Sequence, residues 1–185
     1  MRLLSFVLMA ISFTSCGTNN QEQARQQFLA RQPDTAVTMR LSLYDSLRNL
    51  ATANLTAFFD STLIQGSSLS SGAQASYFIN SQGTLESFHH RKGAAESLPG
   101  ALENDLLALF SKIGSNNIFG FEIQPDSTFK VLLRNEYVPQ FHLDIRERLT
   151  WVSANSSFVQ EDFMKELAIT DHWTYLIWYD KRGGW

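Results

Sequence analysis

Four histidines are the first residues to weigh for chemistry: His89, His90, His142 and His172. An imidazole changes charge near neutral pH and ligates metal through either ring nitrogen. His142 stands two residues before Asp144 in the alternating stretch Phe141-His142-Leu143-Asp144-Ile145, so on a strand both side chains would point the same way. With His172 alongside, His142 and Asp144 would offer three ligands to a zinc ion. The histidines lack the tight spacing of a helical metal motif, and the ligands would have to come from separate strands. The plainer expectation places His142 and Asp144 on a solvent-facing side, opposite Phe141 and Leu143. No metal and no cofactor is expected.

Nucleophilic chemistry finds little support. Ser127-Thr128-Phe129-Lys130 has the Ser-x-x-Lys spacing, but that chemistry needs the serine at a helix start and two companion motifs. Here Pro125-Asp126-Ser127 reads as a turn, and neither companion is present. There is no Gly-x-Ser-x-Gly elbow and no phosphate-cradling glycine loop. Glu103 with Asp105 and Glu161 with Asp162 are carboxylate pairs, better explained as helix surface near positive helix ends. The short basic run His89-His90-Arg91-Lys92 reads as a solvated hairpin end rather than a site for anionic polymer. No catalytic residue is assigned from sequence.

Aromatics near the C-terminus are the remaining binding candidates. Trp173, Tyr175, Trp178 and Tyr179 crowd one segment and would suit a groove that stacks sugars or a peptide, although core packing is the favoured expectation. Trp185 follows Lys181-Arg182-Gly183-Gly184 and is expected to dock on the surface or in a partner.

The only cysteine, Cys16, lies in a context that explains it. Arg2 is followed by the apolar run Leu3 to Phe13, then by Thr14 and Ser15. Eleven residues are too few to span a bilayer, which takes about 20, but suit the apolar region of an export signal. The segment resembles the lipobox of bacterial lipoproteins over residues 1–16, with Phe13 where leucine is usual. That resemblance implies transfer of a diacylglycerol with palmitate-type chains to the Cys16 thiol, cleavage before Cys16, and a freed amine open to acylation. The lipid bilayer would then be a partner through acylated Cys16. Each buried methylene contributes about 0.8 kcal/mol, so two chains anchor stably without a transmembrane helix. Gly17 follows the cysteine, which favours the outer membrane in a Gram-negative envelope.

Composition fits one modest domain behind that anchor. Removing residues 1–15 leaves 170 residues and takes away only Arg2 among the charges, so the formal charge moves from −3 to −4. An acidic balance argues against a nucleic-acid partner. The organisation expected is a signal peptide over 1–15, a lipidated N-terminus and glutamine-rich tether over 16–35, and a single domain over 36–185.

Within the domain, Leu43, Leu47, Leu50, Ala51, Leu55, Phe58 and Phe59 predict one long helix from about Asp34 to Thr62. A hairpin should follow over Ser76–Asn80 and Thr84–His89, turning at Gly83. A second helix is expected with Ser97 as cap, Leu102, Leu106, Leu109, Phe110 and Ile113 inward, and Gly114 as stop. Strands are predicted at 119–123, 129–133, 141–146, 149–153 and 172–180. The capping box Ser157 to Gln160 predicts a short helix carrying Phe163 and Leu167. The fold class is α+β, a mostly antiparallel sheet with helices packed on one face. Taken together, the sequence favours a non-enzymatic envelope lipoprotein, with a binding, assembly or inhibitory role toward an envelope protein or polysaccharide. The alternative is a small envelope-polymer hydrolase working through carboxylates or histidines.

Overall fold

The computed structural model describes residues 22, 26, 30–65, 73–89, 94–95, 97–139, 143–151 and 164–181. The segment expected as an export signal, Cys16, His142 and Trp185 lie outside the described residues, as do residues 157–163 of the helix expected near the C-terminus.

Asp34 starts the helical part as its position suggests, its Oδ1 accepting the Ala36 N–H at 3.0 Å. The expected single helix is instead broken into α1 (Thr35–Met39), α2 (Leu41–Ala53), α3 (Leu55–Phe58) and α4 (Ser61–Gln65). The breaks at Asn54 and Phe59 have visible causes. At Asn54 the side-chain amide donates to the Leu50 carbonyl at 2.8 Å and the backbone N–H tightens onto Ala51. Phe59 is extended (φ −140°, ψ 149°) and bridges Ala94, while the Ala95 N–H donates to the Phe58 carbonyl at 2.8 Å. The chain there pairs with a distant segment instead of extending a helix.

The hairpin forms as expected from β1 (Ala75–Ile79) and β2 (Leu85–His89). Asn80 Oδ1 accepts the N–H groups of Gln82 and Thr84, and Gly83 supplies the positive φ of 77°. Next comes α5 (Gly100–Ile113), which turns Leu102, Leu106, Phe110 and Ile113 inward. Ser97 is not its cap. Pro99 occupies the cap position without a side-chain bond, leaving the serine two residues too early to reach the first helical amides. Gly114 ends the helix at φ 90°.

Strands β3 (Gly120–Ile123), β4 (Phe129–Val138), β5 (Leu143–Trp151), β6 (Met164–Ala168) and β7 (Trp173–Lys181) complete one seven-stranded sheet. Its order is β2-β1-β3-β4-β5-β7-β6, and every neighbouring pair is antiparallel. The two strands expected at 141–146 and 149–153 are a single β5, because Glu147 and Arg148 keep the two-residue alternation unbroken. Leu167 belongs to edge strand β6 rather than to a helix, in register with Tyr175.

One face of the sheet carries the main core. Its central row runs Tyr77, Phe121, Val131, Leu149, Tyr175 across five strands. Tyr44, Leu47, Phe58, Leu106 and Phe110 pack onto it from the helices. Phe58 meets Tyr77 edge-on at 5.5 Å, and Tyr77 stacks on Phe121 at 5.3 Å. Such ring pairs contribute roughly 0.5–1.5 kcal/mol beyond area burial. Leu132 and Leu176 are buried as well, but they lie on the opposite face and outside this cluster. The fold is therefore α+β, with a seven-stranded antiparallel sheet and the described helices on one side. Among the described residues no helix is long and apolar enough to cross a membrane.

Candidate functional site

Of the residues first weighed for chemistry, Asp144 and His172 do not converge. Asp144 pairs with Tyr137 and Asp180 at one end of β5, whereas His172 adjoins Trp173, which pairs with Trp151 at the other end. Seven residues along a strand separate those rows by about 23 Å. Asp144 is also only 7 % exposed, so it does not sit on a solvent face as expected. His172 is exposed and stacks on the Trp151 ring at 5.5 Å. Among the described residues no group of three His, Cys, Asp or Glu side chains could hold a metal ion. Ser127 lies in the β3–β4 turn at φ 68°, and Lys130 lies beyond it on β4, where it pairs with Glu122 at 3.3 Å.

Trp173 and Tyr175 are core residues, 2 % and 1 % exposed on the helix-covered face, and do not line a groove. The Trp173 indole N–H donates to Asp45 Oδ1 at 2.7 Å, tying β7 to α2. Burial pushes the Tyr175 phenol well above its usual range, and Glu147, which accepts its hydroxyl, adds to the shift. Trp178 sits on β7 in register with Arg146 and Met164.

Glu147 anchors a charge cluster at that end of the sheet. Arg31 reaches it at 3.2 Å, Arg134 approaches at 3.9 Å, and Arg134 also meets Glu136 at 2.6 Å. Lys165 donates to the Arg31 carbonyl at 3.4 Å. Arg31 belongs to the segment expected as tether, so the chain is held against β5 and β6 from that residue onward. All acids here face cations, which suits stitching better than catalysis.

A concave site lies on the other face. A groove of about 630 Å³ crosses β1, β3, β4 and β5, within the 300–1,000 Å³ range usual for small-molecule sites. The register builds it. Phe78 on β1, Gly120 on β3, Leu132 on β4 and Arg148 on β5 form one cross-strand row. Gly120 must lack a side chain, because a Cβ there would fall 2.5 Å from the Tyr77 carbonyl oxygen and 2.9 Å from Phe78 Cδ1. Its bare backbone lets the Phe78 ring lie over the sheet and stack on Phe119 at 5.7 Å, 17° from parallel.

A bulge between Leu132 and Arg134 breaks the alternation of β4 at the groove. Bulges re-aim side chains and often border sites. Beyond it, Asn135 pairs with Arg146, so amide and guanidinium border the groove beside Arg148. Burial lowers the affinity of the Arg148 guanidinium for its proton, and nearby Glu122 partly offsets this. The lining thus joins an aromatic wall (Phe78, Phe119), an apolar floor (Leu132) and a polar end.

Sequence reasoning missed this groove. Alternation places Lys130 with Leu132 and Arg146 with Arg148 on shared sides of their strands. Only the register brings Phe78 into line with them. No family model, curated protein or solved structure matches this chain.

Proposed function

We propose that this chain is a bacterial envelope lipoprotein, anchored through acylated Cys16, whose domain is a non-enzymatic binding module. The anchor rests on the residue pattern of 1–16. The binding role rests on one observation above all, the groove of about 630 Å³ that combines a stacked phenylalanine pair with a polar end. Aromatic faces with a few placed polar groups are what a ligand site needs. The cluster around Glu147 supports a fixed scaffold beside it, since its carboxylates and cations engage one another.

Each half has its own test. Mass spectrometry of the mature N-terminus should find a diacylated Cys16, and an inhibitor of lipoprotein signal peptidase should make a larger precursor accumulate. An unmodified N-terminus overturns the anchor. For the binding module, mild cross-linking in the native envelope should yield an adduct that Phe78→Ser abolishes while the variant stays folded by circular dichroism. An adduct pattern identical in both chains overturns the groove as the site.

A further inference from the structure

Resting on the reading of the groove as a ligand site, we infer that it takes a small amphipathic anion. The apolar, preferably aromatic, body would lie along Phe78 and Leu132, with a carboxylate or phosphate head at Arg146 and Arg148.

Charge is the first argument. The chain carries 15 basic and 18 acidic residues and a net charge of −3. Among the described residues the groove reverses that balance: Lys130, Arg146 and Arg148 stand against Glu122, while Arg134 and Glu147, which also border it, engage each other and Arg134 also meets Glu136. Glu122 is shared, bridging Lys130 at 3.3 Å while also acting on Arg148. A positive groove on an acidic protein selects anions by steering and by contact.

Geometry then places the head and the body. Arg146 and Arg148 are two residues apart on β5, so they share a face at about 7 Å spacing. Guanidinium forks match carboxylate and phosphate oxygens, so both head groups have the required chemistry. From Phe78 to Arg148 the row crosses three strand intervals of ~4.8 Å, a span of about 14 Å. Gly120 and Leu132 form the floor between them. A ligand two rings long, or an acyl chain of similar reach, covers that span. A compact anion such as inorganic phosphate would leave the aromatic wall unused.

The test uses a matched set of probes sharing one body: biphenyl-4-carboxylate, biphenyl-4-methanol and biphenyl-4-methylamine. Each is titrated calorimetrically into the full chain in non-ionic detergent, with micelles alone as blank. The carboxylate should bind at least about tenfold more tightly than the alcohol or the amine, and weaken as salt rises. Arg146→Gln should remove most of that preference and leave alcohol binding unchanged, while Phe78→Leu should weaken all three. Circular dichroism checks that both variants fold. If the alcohol or amine binds as tightly as the carboxylate and depends on Phe78, the groove stands as a ligand site and the anion assignment is overturned. If none of the three binds at millimolar concentration, both fall. Biphenyl-4-yl phosphate run beside the carboxylate separates the head groups, and a clear preference for either supports the inference.

Discussion

The hydrogen bond from Trp173 to Asp45 gives the sharpest check on how sheet and helices are joined. Trp173 is buried on β7 and donates its indole N–H to Asp45 Oδ1 at 2.7 Å. Asp45→Ala strands that N–H without an acceptor. Hydrogen bonds to charged groups contribute about 1.5–3 kcal/mol, and an orphaned buried donor costs a similar amount, so the expected loss is ~2 kcal/mol. With a urea m-value of about 2 kcal/mol/M, the unfolding midpoint should fall by ~1 M. Asp45→Asn keeps an acceptor oxygen and should lose about half as much. Asp45 also acts on Arg48, whose guanidinium carbon lies 3.4 Å from the centre of the Trp151 ring. A double-mutant cycle with Trp173→Phe removes that side effect and should return a coupling of at least ~1 kcal/mol. A coupling near zero would refute the bond as a structural tie, whatever the single variants do.

Two further outcomes follow from the same geometry. Burial pushes the Tyr44 phenol from its ordinary value of 10 up to about 12, with Arg40 opposing the shift, while Tyr77 and Tyr175 move the same way. Because the folded pKa is raised, the stabilisation is complete below pH 10 and is lost as pH climbs toward 12, by roughly 3 kcal/mol for Tyr44 alone. Urea midpoints at pH 9, 10.5 and 11.5 should fall in step, and a flat series contradicts the burial argument. Gly120→Ala forces β1 away from β3 at a cost of about 2 kcal/mol, lowering Tm by ~6 °C. The same variant should weaken biphenyl-4-carboxylate, since Phe78 must move; unchanged Tm and affinity would show that the close approach is not there.

What was legible in the sequence was local. Gly83 announces its hairpin because the turn needs a positive φ, and Asn80 adds its Asx acceptor only in the folded chain. Leu102, Leu106, Phe110 and Ile113 announce a helix face because the burying partner is a single surface. The class of fold follows from such elements. The broken first helix was hidden because Phe59 trades a helical bond for a bridge to Ala94, a partner 35 residues away. The capping box at Ser157 predicts a helix carrying Leu167, yet Leu167 lies in β6 beside Tyr175. The groove was least visible of all, since Phe78, Gly120, Leu132 and Arg148 meet only through the register of four strands. Asp144 and His172 illustrate the converse: suitable types, carried by the sheet to opposite ends.

The place of β7 has a consequence for the order of folding. It is the last described strand in the chain, yet in the sheet it lies between β5 and β6 and supplies Trp173, Tyr175 and Ile177 to the core. A chain made or exported from its N-terminus can therefore assemble β1 to β5 early, but it must leave an unsatisfied β5 edge until the final strand emerges. Antiparallel partners close in sequence shorten that wait, since β6 and β7 join through a short turn and can dock as a pair. Until they do, an apolar half-core and an open edge are exposed together, the state in which a nascent chain is most prone to aggregate and most in need of a holding chaperone.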